Sequence, residues 1–94
     1  MLKELDPLLH SELRLGIISI LVGVDEADFT YLKEQCNATS GNISVQLDKL
    51  QKAGYIELKK EFVGRRPRTT CSITDTGRTA FAAYVDTLKG YLHL

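Results

Sequence analysis

Residues 62–70 read Phe-Val-Gly-Arg-Arg-Pro-Arg-Thr-Thr, a short basic segment with a turn-forming glycine and a proline. It lies between two strand-like runs. The first is Tyr55, Ile56, Leu58 and Phe62, with Lys59, Lys60 and Glu61 interposed. The second is Thr69 to Thr74, which is β-prone. The residues between them, Gly64 to Arg68, suit a hairpin loop. Just upstream, Ile43, Leu47 and Leu50 recur at helical spacing and must share a buried face, and Gly54 supplies a left-handed stop. Helix, glycine stop, strand, cationic loop and return strand therefore follow one another without a break. The fold class this predicts is mostly α with one small β-hairpin (α+β).

The rest of the chain reads as helices. Asp6-Pro7 is a helix-start signal, with Ser11 as a second available cap. Leu9, Leu13, Ile17 and Leu21 make one apolar stripe, and Leu15, Ile18 and Val22 make another. A small core needs only one. The surplus points either to a partner surface or to burial under a C-terminal helix. Gly23 ends this helix, and Val24 to Asp28 read as an acidic connection. Phe29, Leu32 and Cys36 mark a short second helix, with Asn37-Ala38-Thr39 as the turn after it. Thr39 or Ser40 caps the third helix, over about residues 40–53. Asp75 or Thr76 opens the last, whose apolar face is Ala80, Phe81, Tyr84, Leu88, Tyr91 and Leu92. No repeat or linker interrupts the pattern, and residues 1–94 are expected to form a single domain.

The formal net charge is zero, which taken alone argues against a polyanionic partner. The distribution reverses that inference. Residues 1–38 carry three cations and seven anions, net −4, whereas residues 39–94 carry nine and five, net +4. Local charge decides phosphate binding, because charges beyond a Debye length of about 8–10 Å are screened. Cys36 and Cys71 match no metal spacing and read as buried thiols, and His10 and His93 as ordinary surface or interface residues, so no metal or cofactor is expected. No apolar run is long enough for a membrane span and the N-terminus lacks a signal-peptide pattern, which together predict a cytoplasmic protein. Neither a phosphate-binding Gly-x-x-x-x-Gly-Lys loop nor a Ser-His-Asp set is present, so an enzyme is not expected.

Two features together point to nucleic acid. A helix that enters the major groove needs one face buried and the other short and polar. Opposite Ile43, Leu47 and Leu50 stand Ser40, Gly41, Asn42, Ser44, Gln46 and Lys49. The amides of Asn42 and Gln46 suit adenine, Ser44 can donate or accept, and Lys49 reaches guanine or phosphate. Gly41 lets the backbone approach the sugar-phosphate chain. Residues 40–46 hold no charge and include mediocre helix formers, a local conflict of the kind that gathers at functional sites. The second feature is the loop. From Lys59 to Arg68 five cations face one anion, and Pro67 keeps Arg66 and Arg68 splayed.

At this point the chain resembles a known group. The string Thr39-Ser40-Gly41-Asn42-Ile43-Ser44 leads into Leu47-x-x-Leu50-x-x-Ala53-Gly54-Tyr55-Ile56. Phe62-x-Gly64-Arg65-x-Pro67-x-Thr69 and Thr74-x-x-Gly77-Arg78 follow. These are similar to the small winged-helix transcriptional regulators of bacteria and archaea related to the MarR and ArsR families, over roughly residues 10–92. The resemblance implies a winged helix-turn-helix with an added C-terminal helix, binding double-stranded DNA sequence-specifically as a homodimer. Thr39, Ser40, Gly41, Asn42, Ser44, Gln46 and Lys49 would contact bases or backbone in the major groove. Arg65, Arg66 and Arg68, in a wing over residues 63–69, would contact the flanking backbone or minor groove. Leu8, Leu9, Phe81, Tyr84, Leu88, Tyr91 and Leu92 would form the dimer interface, and any effector would have to bind there. The cysteine pair of metal-sensing relatives is missing, so metal sensing is not implied. The competing reading is a winged-helix module for protein contact without sequence-specific DNA binding.

Overall fold

The structure, a computed structural model, describes residues 2–94. Its elements are α1 (Glu12–Val22), β1 (Ala27–Asp28), α2 (Phe29–Gln35), α3 (Ser40–Lys52), β2 (Ile56–Val63), β3 (Arg66–Ile73) and α4 (Asp75–Leu92). Four helices accompany a small antiparallel sheet of order β1-β3-β2, the expected helical plan with a hairpin. Among the described residues, no helix is long and apolar enough to cross a membrane.

The first helix starts later than Asp6-Pro7 suggests. The Asp6 carboxylate accepts from the Leu8 amide at 2.9 Å and its carbonyl from His10 at 2.9 Å, closing a turn instead of a helix. Ser11 is the true cap, its hydroxyl accepting from the Arg14 amide. Both apolar stripes of α1 are used within the chain. Ile17, Ile18 and Leu21 are fully buried, and α1 packs on α3, β3 and α4. The surplus apolar surface thus has an intramolecular explanation.

The acidic connection contains a strand. Ala27 and Asp28 pair with Cys71 and Thr70, adding a third strand to the sheet. The hairpin turn is also tighter than expected. Val63 pairs directly with Arg66, leaving only Gly64 and Arg65 as the loop. Gly64 alone of the two has positive φ, at 66°, the signature of a two-residue turn with glycine first. Pro67 therefore stands in β3. It is tolerated because β1 reaches only Thr70, so the outer edge of β3 at Pro67 has no neighbour to miss an N–H.

The core joins every layer: Leu9 from the N-terminal turn, α1, Leu32, the buried face of α3, Ile56, Cys71 and Tyr84 of α4. Leu9 is fully buried and Tyr84 is 5% exposed, so these two serve the core and are not free to form a dimer surface. The Tyr84 hydroxyl lies 3.1 Å from His10 Nδ1. The α3 stop and the α4 start are tied together. Thr74 donates to the Gly54 carbonyl at 2.6 Å, accepts from the Gly77 amide at 3.0 Å, and its own amide reaches the Tyr55 carbonyl at 3.0 Å. Gly77 is required there, since a side chain would collide with that same Tyr55 oxygen.

Candidate nucleic-acid interface

Helix α3 owes its placement to its ends and to one stripe. Asn37, with φ of 50°, turns the chain out of α2, and the Thr39 hydroxyl caps α3 by accepting from the Asn42 amide at 3.1 Å. Ile43, Leu47 and Leu50 anchor the inner face. The helix then stops at Gly54, whose φ of 79° releases the chain into β2. Thr39, Ser40, Gly41, Asn42, Ser44 and Lys49 are all exposed on the outer side, as expected.

Gln46 departs from that expectation. It is half-buried, and its side-chain oxygen accepts from Arg14 of α1 at 2.5 Å. Its amide nitrogen donates to Asn42 at 3.2 Å. Arg14 also donates to the Leu8 carbonyl at 2.6 Å, so one guanidinium joins the N-terminal turn, α1 and α3. Gln46 is thus a strut between helices in this structure, with both amide groups engaged. The residue at the centre of the outer face is Val45, 52% exposed and one turn beyond Gly41. Its angular position opposite Ile43 and Leu47 is the signal in the sequence that marks it, although its side chain is apolar.

The hairpin projects beside α3. Between them lies a groove of about 680 Å³ lined by Ser44, Leu47, Asp48 and Gln51 of α3, by Leu58, Lys60 and Thr69 of the hairpin, and by Phe29. Arg65 and Arg66 stand exposed at the tip, and among the described residues neither is in an ion pair. Arg68 is committed elsewhere. Its Nε donates to the Asp28 carboxylate at 2.7 Å, which binds β3 to β1 and raises the guanidinium pKa further. Its first assignment is a brace for the hairpin's root. Lys52 is paired with Asp48 at 2.9 Å and Lys59 with Glu61 at 3.5 Å. The cations of this face outside any ion pair, among the described residues, are Lys49, Lys60, Arg65 and Arg66.

Of the expected dimer residues besides Leu9 and Tyr84, Leu8, Phe81 and Leu88 are partly buried against the core. Tyr91 and Leu92 are exposed, and they lie with Leu2 and Leu94 at the far end of α4, where the Tyr91 hydroxyl donates to the Lys3 carbonyl at 2.8 Å. Of the two thiols expected to be buried, Cys71 is and Cys36 is only half-buried; burial raises the pKa of Cys36 and pushes that of Cys71 up to about 11, away from the thiolate form.

Comparison with known proteins returns proteins of one family. Residues 13–92 match the family model of the winged helix DNA-binding domain. An uncharacterised protein from Methanocaldococcus jannaschii is 40% identical over 76 residues, covering 81% of this chain and 83% of the relative. Among solved structures, the transcriptional regulator homologue protein from Pyrococcus horikoshii OT3 is similar with a TM-score of 0.84 and 28% identity, over 92% of this chain and 85% of that one. A MarR-family transcriptional regulator from Silicibacter pomeroyi shares the fold at a TM-score of 0.69 and 20% identity, over 88% of this chain and 55% of that one. The match over residues 13–92, from α1 through α4, places this chain in the winged helix DNA-binding domain family.

Proposed function

We propose that this protein is a transcriptional regulator that binds double-stranded DNA sequence-specifically as a homodimer. Helix α3 enters the major groove, and the wing formed by β2, its turn and β3 lies on the flanking backbone or minor groove. The observation that carries this reading is the juxtaposition of the charge-free first turns of α3, residues 40–46, with Arg65 and Arg66 at the wing tip, which among the described residues are in no ion pair. A groove-reading helix needs short side chains, and a positioning element needs cations for phosphate. The likeness to a transcriptional regulator homologue at 28% identity supports the same class.

The reading assigns Asn42, Ser44, Val45 and Lys49 to base edges, and Thr39, Ser40 and Gly41 to the backbone at the helix start. Tyr91 and Leu92, with neighbouring Leu2 and Leu94, are its dimer contacts. Two-fold symmetry would set the α3 helices about 34 Å apart, so the operator should be roughly palindromic. The test is fluorescence anisotropy of a labelled duplex from upstream of the protein's own gene against a shuffled duplex, over a salt series. Tighter binding to the native duplex with a steep salt slope is expected. Equal affinity for both would remove sequence specificity, and no binding at low salt would favour the protein-contact module.

A further inference from the structure

Phe62 is out of place for a residue whose only task is to build a hairpin. It alternates with Ile56, Leu58 and Lys60 on the face of β2 turned toward α3, yet among the described residues no element covers it and it is 75% exposed. Its cross-strand partner is Pro67, also exposed, so the two make an apolar stub on one side of the wing. Val63, on the opposite face of the ribbon, is 56% exposed.

The stub is stiffly mounted. The two-residue turn closes directly on Val63 and Arg66, and the Arg68–Asp28 bond braces the root. Beyond Thr70, the last residue supported by β1, the ribbon projects four residues to Arg66, or about 13 Å. Its surroundings are cationic, with five positive side chains and one negative between Lys59 and Arg68. Exposed aromatic surface alone would suit a protein partner, but protein-contact surfaces are depleted in lysine and crowded cations oppose their burial. Apolar side chains flanked by arginines are the equipment of proteins that wedge open base steps from the minor groove.

We propose that the wing carries a DNA wedge. Phe62, backed by Pro67, enters the minor groove beside the α3 site and partly unstacks one base step, while Arg65 and Arg66 hold the adjoining phosphates. The wedge makes the sequence at that step matter through its deformability, with no base hydrogen bond. This rests on the DNA-binding reading above.

The test uses the intact protein and a duplex that it selects from a random pool, with 2-aminopurine placed in turn at each position flanking the α3 site. The wild type should raise the fluorescence at one step per wing. Phe62→Ala should abolish that rise and weaken binding about ten-fold while leaving the salt slope unchanged, since no charge is lost. Phe62→Leu should retain both in large part. Tight binding without any rise in the wild type would overturn the wedge and leave the DNA reading standing. A Phe62→Ala variant that binds the duplex normally but sediments differently would overturn it in favour of a protein contact. If no duplex is selected at all, the DNA reading fails and the wedge with it. Phe62 lies outside the core, so the alanine variant should fold normally.

Discussion

The Tyr55 hydroxyl donates to the Asp6 carboxylate at 2.6 Å, tying the residue that follows the α3 stop to the N-terminal turn. Because Gly54 and Tyr55 set the angle between α3 and the wing, this bond helps hold the two candidate DNA contacts in register. Burial, and then the neighbouring Asp6 carboxylate, push the Tyr55 pKa up to about 12 from an ordinary 10.0. The raised value means the folded state favours the protonated phenol. Its contribution is complete below pH 10 and is lost as the pH rises through about 12. Tyr55→Phe should cost about 1 kcal/mol at neutral pH. The difference between wild type and variant, followed by denaturant unfolding, should shrink across that alkaline window. A gap that stays constant up to pH 12 would show that the bond does not form.

The wing arginines should separate by salt dependence. Arg65→Ala and Arg66→Ala should weaken binding to specific and shuffled duplexes alike, each lowering the salt slope by about one. Arg68→Ala should leave the slope nearly unchanged, because its guanidinium is occupied by Asp28, and should instead loosen β1 from β3. Faster amide exchange at Ala27 and Asp28 would report that loosening. Equal loss of slope for all three variants would return Arg68 to the phosphate contacts.

What the sequence shows clearly in this protein is what depends on local rules. The stripe of Ile43, Leu47 and Leu50, the Thr39 cap and the Gly54 stop each follow from spacing or backbone chemistry, and all three stand in the structure. What it hides depends on contacts distant in the chain. Ala27-Asp28 is too short to show a strand period and becomes a strand only because β3 lies beside it. Gln46 looks like a base reader until Arg14, thirty-two positions earlier, is seen to hold it. Leu9 and Tyr84 carry the same apolar signal whether they face a partner or the core. Only the packing of the N-terminal turn against α4 decides that they are core.

Gly77 tests the joint between the wing and α4. A Cβ there would meet the Tyr55 carbonyl oxygen and the Ile73 side chain, and backbone cannot yield as a flexible side chain would. Gly77→Ala should destabilise by about 2 kcal/mol through forced separation of β2 from the start of α4. Thermal unfolding should show Tm lowered by roughly ten degrees. Gly90→Ala, in open space on the same helix, is the control and should be neutral or slightly stabilising. A Gly77→Ala protein as stable as wild type would mean that α4 can shift without cost.

The far end of α4 is where dimerisation should be tested. Leu92 is 58% exposed and Leu94 is 85% exposed, in a chain whose other large apolar side chains are mostly covered. Leu92→Arg should leave the fold intact, since that side chain covers little of the core. Analytical ultracentrifugation should then show a wild-type dimer become a monomer. Affinity for a palindromic duplex should fall toward that for a half-site. A wild type that sediments as a monomer at all accessible concentrations would remove the homodimer from the proposal.

Val45 and Gln46 are adjacent, yet they should fail in opposite ways. Val45 stands at the centre of the outer face of α3 and supports nothing inside the protein. Its methyl groups suit the thymine methyl in the major groove, the one apolar mark on a base edge there. Val45→Ala should leave stability unchanged and should cost about 1 kcal/mol only at duplexes carrying thymine at the contacted position, with little effect where uracil replaces it. Gln46→Ala breaks the strut to Arg14 and releases Asn42. It should lower stability by about 1 kcal/mol and weaken binding to every sequence by a similar factor, because the helix is less well held. Anisotropy on paired thymine and uracil duplexes, with unfolding curves for both variants, separates these outcomes. Base selectivity lost in Gln46→Ala but kept in Val45→Ala would show that Gln46 leaves Arg14 on binding and reads the groove itself.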